Sequence, residues 1–379
     1  MKRLAAITLI LTLLLCACGG PTETPEPTPT APVSTPEATP EVTPEVTPEP
    51  APESTPEPAP EVTPEPVPEE TPDTAPEETP ESTPENTPEP APEETPIPTP
   101  APPAGPVVDE SILLSFDGMY FEPRPAVDEA AVTRLAEKMT SLRDQHFAAN
   151  KVYYAIIPDK SWYFRDRTDK HFDHEAICES LGSQLEGFTG IDLSDTLGGS
   201  DYYVTDPHWR QEQLIPAVTR LAEAMDFTFT EADCTTENGG SFVGTYGKKA
   251  EGFAPETLYY LTSDVINAAR VDNFQQPEFR KVYDPAKFSG NGYDFFLSGA
   301  TPLTVIENPN AAEKRELVIF RDSFGSSIAP LMLESYSKVT LVDLRYLVSS
   351  LLPNYVDFTN AEVLFLYCDE LVNSSFLLK

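Results

Sequence analysis

The 379-residue chain carries 62 acidic against 25 basic side chains, a formal charge of -37, and 42 of its residues are proline. Twenty of the acids stand in the proline-rich residues 21–106, so the rest holds forty-two acids against twenty-three bases once Lys2 and Arg3 are set aside, near -19. A surface of that sign repels phosphate polymers, which argues against nucleic acid as a partner and leaves a neutral or basic glycan compatible.

Lys2 and Arg3 precede an apolar run over residues 4–15, too short for a permanent bilayer span and suited to an export signal. The following LCACGG has the pattern of a lipobox: Leu15 stands three before Cys18, Ala17 one before and Gly19 one after. Residues 1–17 are therefore expected to be a lipoprotein signal peptide, with Cys18 as the lipidation site. An ordinary signal peptide with an incidental cysteine is the alternative. Residues 18–106, irregular repeats of TPE, PEP and APE with no aromatic residue, lysine or arginine beyond Cys18, cannot bury enough apolar surface to fold. They read as a disordered acidic tether rich in polyproline II, reaching on the order of 250 Å at ~3.1 Å per residue if fully extended. These features predict an exported chain, lipid-anchored at the outer face of the cell membrane and tethered into the cell wall.

Residues 107–379 suffice for one sizeable α/β domain. Residues 112–116 suit an opening strand, with Asp117 and Gly118 as a turn. Residues 126–149 carry Val132, Leu135, Met139 and Leu142 at helical spacing, and 151–157 (KVYYAII) form a strand ended by Pro158. A helix is expected over 171–185, an extended segment over 201–205 and a helix over 209–225. Between 226 and 313 glycines are spread among short apolar runs, which predicts an irregular insertion with a few hairpins. Strand 317–320, helix 324–336, strand 339–342, a helical stretch near Leu347 and strand 363–366 complete the order. Strands separated by helical segments predict a mainly parallel sheet covered on both faces.

Cys178, Cys234 and Cys368 are few, far apart and without CxxC spacing, so metal ligation and thiol redox chemistry lack support, while one disulfide stays open. His146, His171 and His174 lie in helical or charged stretches and read as solvated or capping residues.

The chemistry concentrates at Ser323, where an apolar strand ends and a helical pattern begins. A serine there exposes its hydroxyl and offers its own N–H to an oxyanion. It needs a base and a group that orients the base. Asp206 and His208 are two apart, so in an extended segment both side chains point the same way.

The segments YYVTDPHW (202–209), VIFRDSFGSSIAPLM (318–332) and VTLVDLRYL (339–347), in that order, with IIPDKSWYF (156–164) and FVGTYGKKAEGF (242–253), resemble the DHHW proteins. These are relatives of the AlgJ and AlgX type of polysaccharide O-acetylation factors within the wider SGNH hydrolase group. The resemblance spans most of residues 112–369. It implies a three-layer α/β/α SGNH-like domain in which Asp206, His208 and Ser323 form a catalytic triad. It also implies an extracellular polysaccharide as partner and an acetyl donor delivered by a membrane-bound O-acyltransferase; no metal or other cofactor is expected. Arg321 stands where a GDS block has glycine, and no separate Gly and Asn block is evident. The amides of Ser323 and Gly325 are the oxyanion candidates on the expected helix N-terminus. Trp209, Lys160, Arg321 and Arg345 are candidate substrate-lining residues; Trp209 reads first as packing that fixes His208, Lys160 equally as surface, and Arg345 first as a structural ion pair with Asp343. Asp322 reads as a cap. A hydrolytic carbohydrate esterase and a catalytically inactive glycan-binding surface protein are the alternative functions.

Overall fold

A computed structural model describes residues 105–278, 280–288 and 292–379. The expectations for the signal peptide, Cys18 and the tether lie outside the described residues.

The expected opening strand is present as β1 (Leu114–Phe116), which pairs with β2 (Met119–Phe121) in a hairpin of its own outside the main sheet. Asp117 and Gly118 both take positive φ, the turn that matches the twist of a two-residue hairpin. Helix α1 (Glu129–His146) starts on the Asp128 carboxylate, which accepts from the Ala130 amide, and buries Val132, Leu135, Met139 and Leu142. Strand β3 (Val152–Ile157), helix α2 (His174–Gly182) and strand β4 (Thr189–Asp192) follow. Helix α3 spans Ile215–Met225; the expected start at Trp209 is too early because residues 202–209 are folded back on themselves.

The stretch expected as an irregular insertion is more ordered than its glycines suggest. It contains a two-stranded sheet of β5 (Thr235–Phe242) and β6 (Glu256–Thr262), then helix α4 (Asp264–Ala268). It also contributes strands β7 (Arg270–Asn273) and β8 (Leu303–Glu307) to the main sheet. Strand β9 (Glu316–Arg321) leads to Ser323 and to helix α5 (Gly325–Ile328), a single turn. The helix expected over 324–336 is cut short to this turn: Pro330 lacks the N–H that a longer α-helix needs, and residues 329–332 tighten into a 3-10 turn. Strand β10 (Lys338–Val342), a 3-10 stretch over Ser349–Asn354, strand β11 (Ala361–Cys368) and helix α6 (Asp369–Asn373) complete the chain.

The seven-stranded sheet runs β4-β3-β11-β9-β10-β8-β7. The first five strands are mutually parallel, whereas β8 pairs antiparallel with both β10 and β7. The sheet is mixed but mainly parallel: only β8, next to the edge strand β7, runs against the others, and both come from the glycine-rich stretch. All eight residues of β11 are buried, as a central strand covered on both faces requires. Phe320 and Phe365, partners in register, stack at 4.7 Å under Phe147 from the end of α1. This packing fixes the carboxyl ends of β9 and β11, where Ser323 sits. Among the described residues Cys178, Cys234 and Cys368 are all free thiols, so no disulfide joins them, and no helix is long and apolar enough to cross a membrane.

Candidate active site

Residues 202–209 make a tight loop in which Tyr202 bridges Trp209 and the Tyr203 amide donates to the His208 carbonyl. The loop carries Asp206 and His208 across to the end of β9. His208 Nε2 lies 2.7 Å from Ser323 Oγ, and its Nδ1 lies 2.5 Å from Asp206 Oδ1. Asp206 and His208 are buried and Ser323 is half-buried, so the hydroxyl is the part of this chain of groups that a ligand meets. The imidazole is held face to face by Tyr293 at 3.7 Å between ring centroids, with Phe324 tilted against it at 4.7 Å. Tyr293 and Trp209 both bond Ser327 Oγ, so the rings flanking His208 are tied to the turn that carries Ser323.

Asp206 is over-determined. Its Oδ1 also accepts from the His208 amide and its Oδ2 from the Thr245 amide at 2.9 Å. Burial alone would raise this carboxyl, but His208 and the two amides outweigh it and hold Asp206 below the usual carboxylate range. A group with a depressed folded pKa stabilises the fold above its unfolded value of about 3.9, and that stability is lost as the pH falls through the folded value. Asp159, lowered by Arg124 against its own burial, acts with the same sign. Urea unfolding measured in acid should therefore weaken as the pH drops below about 4, and Asp206→Asn should flatten that dependence.

The backbone beneath Asp206 is clamped from two sides. Glu256 on β6 accepts from the amides of Val204 and Thr205 at 2.8 and 2.6 Å and from the Thr205 hydroxyl. Gly244 donates its amide to that hydroxyl and lies so close that a Cβ there would stand 2.5 Å from both Asp206 Cβ and Thr205 O. Gly244→Ala should accordingly displace Asp206 and lower kcat about 10- to 100-fold while changing KM little, read from steady-state kinetics on an acetyl ester. Glu256, Gly244, Thr245 and Tyr293 were not singled out from sequence, although FVGTYGKKAEGF holds two of them. A glycine and an acid facing a loop from another sheet leave no periodic trace.

The cleft at Ser323 has a volume of about 190 Å³ and is lined by His208, Asp159, Phe324, Arg345, Glu370 and Leu377 among others. Arg345 reaches it, gripped by both oxygens of Asp343 at 2.9 and 2.6 Å. The other three residues expected to line it do not. Trp209 is fully buried, packed edge-on against Phe324 with its N–H spent on Ser327. Lys160 is buried and donates to the carbonyls of Tyr120, Tyr203 and Asp206 at 2.8, 2.6 and 2.7 Å. Arg321 is buried beside Asp343 and donates to the carbonyls of Asp322 and Gly299. Gly325 is corrected as an oxyanion donor, since its amide donates to the Asp322 carbonyl at 3.2 Å; it is glycine because a Cβ would stand 2.7 Å from Arg321 Cβ. The Ser323 amide donates to no other group among the described residues. Asp322 accepts from the amides of Phe324 and Cys368, tying the serine turn to β11. No group of three His, Cys, Asp or Glu side chains among the described residues is placed to hold a metal ion.

The fold is shared with a DHHW family protein. That structure, from Eubacterium siraeum, matches with a TM-score of 0.57 and 20% identity over 71% of this chain and 94% of its own. PatB1 of Bacillus cereus matches at 0.55 and 18% identity over 69% of this chain and 97% of its own, and PatB1 has also been solved with a sulfonyl adduct. The O-acetyltransferase domain of Pseudomonas putida AlgJ matches at a TM-score of 0.39 and 14% identity over 71% of this chain and 92% of its own. No family model matches the chain, and no curated protein matches it.

Proposed function

We propose that this domain performs serine-based acyl transfer, moving acetyl groups onto or off hydroxyls of an extracellular polysaccharide. The observation that carries the reading is the unbroken run from Asp206 through His208 to Ser323, with both imidazole nitrogens engaged. With its proton on Nδ1 toward Asp206, His208 presents the Nε2 lone pair to the serine proton. Ser323 Oγ attacks the acetyl carbonyl, and the oxyanion that forms meets the free Ser323 amide in a cleft that Arg345, held in its pair with Asp343, also lines. The imidazolium then protonates the leaving alcohol, and an acetyl-serine remains. A sugar hydroxyl, deprotonated by His208, takes the acetyl group in transfer; water takes it in hydrolysis. Residues 1–106, read as signal peptide, lipidated Cys18 and tether, would hold this domain outside the membrane, within reach of a membrane-bound O-acyltransferase as donor.

The reading is tested by incubating the protein with an acetyl ester and measuring intact mass. An acetyl adduct mapped to Ser323 and absent from Ser323→Ala supports acyl transfer. A folded protein that neither acquires the adduct nor reacts with a fluorophosphonate would instead favour a glycan-binding module without turnover.

A further inference from the structure

The cleft at Ser323 is bounded by charges already paired within the protein. Arg124, itself buried, joins two of the cleft's carboxylates: its Nη2 is 2.6 Å from Asp159 Oδ2 and 3.1 Å from Glu370 Oε2. Asp159 is buried, whereas the Glu370 side chain is 54% exposed and its Oε1 has no partner among the described residues. Arg345 spends Nε and Nη2 on Asp343, which leaves its Nη1 hydrogens open among the described residues. Glu370 and Arg345 are thus each anchored by an opposite charge and keep hydrogen-bonding capacity at the cleft wall. The rim beyond Arg345 is apolar. Its guanidinium carbon stands 5.4 Å from the centroid of the Tyr346 ring, and that residue is 52% exposed. The Ser349 amide donates to the Lys379 carbonyl at 3.2 Å and the Lys379 amide to the Leu344 carbonyl at 2.8 Å, so the two segments run side by side. They set Leu377, a cleft-lining residue left 46% exposed, on the segment beside Tyr346.

We propose that the cleft and this rim form a subsite for an uncharged glycan chain, in which Glu370 accepts from one sugar hydroxyl, Arg345 donates to a sugar oxygen and Tyr346 stacks on the apolar face of the next pyranose. The inference rests on the acyl-transfer reading and adds the substrate class to it. A sugar hydroxyl both donates and accepts, so it matches a carboxylate and a guanidinium whose charges are already balanced and whose positions are fixed. Leu377, Phe324 and Leu371 supply the apolar remainder of the lining, and a few placed polar groups among apolar ones are what a small-molecule pocket requires. An anionic sugar is disfavoured, because Asp159, Asp322 and Glu370 outnumber Arg345 at the cleft. An ammonium-bearing sugar has to compete with Arg124 for Glu370 and to approach Arg345. The proline-rich residues 21–106, a second type of chain suited to aromatic rings, carry twenty acids and no lysine or arginine, and the domain's own excess of acid repels them.

The experiment measures binding by calorimetry to the full chain carrying Ser323→Ala, which leaves the esters intact. The probes are the 3-O-acetyl derivatives of methyl glucoside, methyl glucosaminide and methyl glucuronide, one skeleton that is uncharged, cationic or anionic. At low salt the uncharged ester should bind at least about tenfold more tightly than either charged one. Adding Glu370→Ala should weaken that binding about tenfold, and Glu370→Gln, which keeps an accepting oxygen, should stay within about threefold. Arg345→Ala should also cost about tenfold; it strips the buried Asp343 of its partner, so should it fail to fold, the two Glu370 variants decide. Tyr346→Ala should weaken an acetylated cellobiose about tenfold and the monosaccharide ester less, while Tyr346→Phe should keep both. Binding of none of the esters, equal binding of all three, tighter binding of a charged one, or no effect of Glu370→Ala overturns the subsite. Turnover of 4-nitrophenyl acetate by the wild-type chain, an ester without a sugar, reads the acyl-transfer chemistry by itself, so failure of the subsite and failure of that reading are separate results.

Discussion

His208→Ala should lower acetyl-ester turnover by about 10⁴- to 10⁶-fold, and Ser323→Ala should cost a similar factor. The size follows from geometry. Without the imidazole, Ser323 Oγ has no acceptor for its proton at 2.7 Å, and Asp206 loses the partner that keeps its charge useful. The two losses should not add, because each alone removes the step in which hydroxyl oxygen becomes a nucleophile; the double variant should match the slower single one. Both variants should retain the fold, since Tyr293 and Phe324 pack on one another's neighbours through Trp209 and Ser327 as well as on the imidazole. Single-turnover and steady-state rates on an acetyl ester read the outcome. A His208→Ala protein within tenfold of wild type would end the acyl-transfer account.

Lys160→Met should destabilise the domain by about 3 kcal/mol or more, a large part of the 5–15 kcal/mol typical of a domain. The side chains are similar in volume, so the loss is electrostatic rather than steric. Three carbonyls, one from the β1–β2 hairpin and two, of Tyr203 and Asp206, from the loop itself, converge on one ammonium that has three N–H groups to give. Burial pushes this lysine down to about 7, while Asp206, Glu256 and Asp159 pull it the other way. Methionine leaves all three carbonyls buried without that donor. Urea unfolding should show the lower midpoint, and kcat should fall in the protein that remains folded, because the loop holding Asp206 loses its anchor. A change below about 1 kcal/mol would mean that the three carbonyls find other donors.

The two predictions separate what a linear reading can and cannot see. Asp206, His208 and Ser323 were legible because their residue types carry the chemistry and their segments resemble a known pattern. Lys160 was visible only as a lysine after a strand, equally fit for cleft or surface; its acceptors are backbone carbonyls, which have no letter in a sequence. Arg321 was misplaced for the same reason, since a large polar-tipped side chain near a reactive serine can point toward solvent or away from it, whereas Trp209 packs as its first reading expected. The long helix expected after Ser323 failed on one residue, Pro330, whose missing N–H outweighed a good apolar spacing. Strands β7 and β8 were hidden because they are short and gain their order from pairing, β8 on β10 and β7 at the edge on β8.

Local chemistry in the chain was enough to establish an α/β domain behind a proline-rich acidic segment, the central strands and amphipathic helices, and the three side chains that could act together. Periodicity and residue type are properties of neighbours along the backbone, so they survive in one dimension. Folding alone decided which of these groups meet: Gly244 and Glu256 behind Asp206, Tyr293 over His208, and Asp369 on a buried His174 that sequence reading took for a solvated or capping residue. Each of those contacts joins elements far apart in the chain, and its energy comes from desolvation and distance, neither of which exists until the sheet has closed.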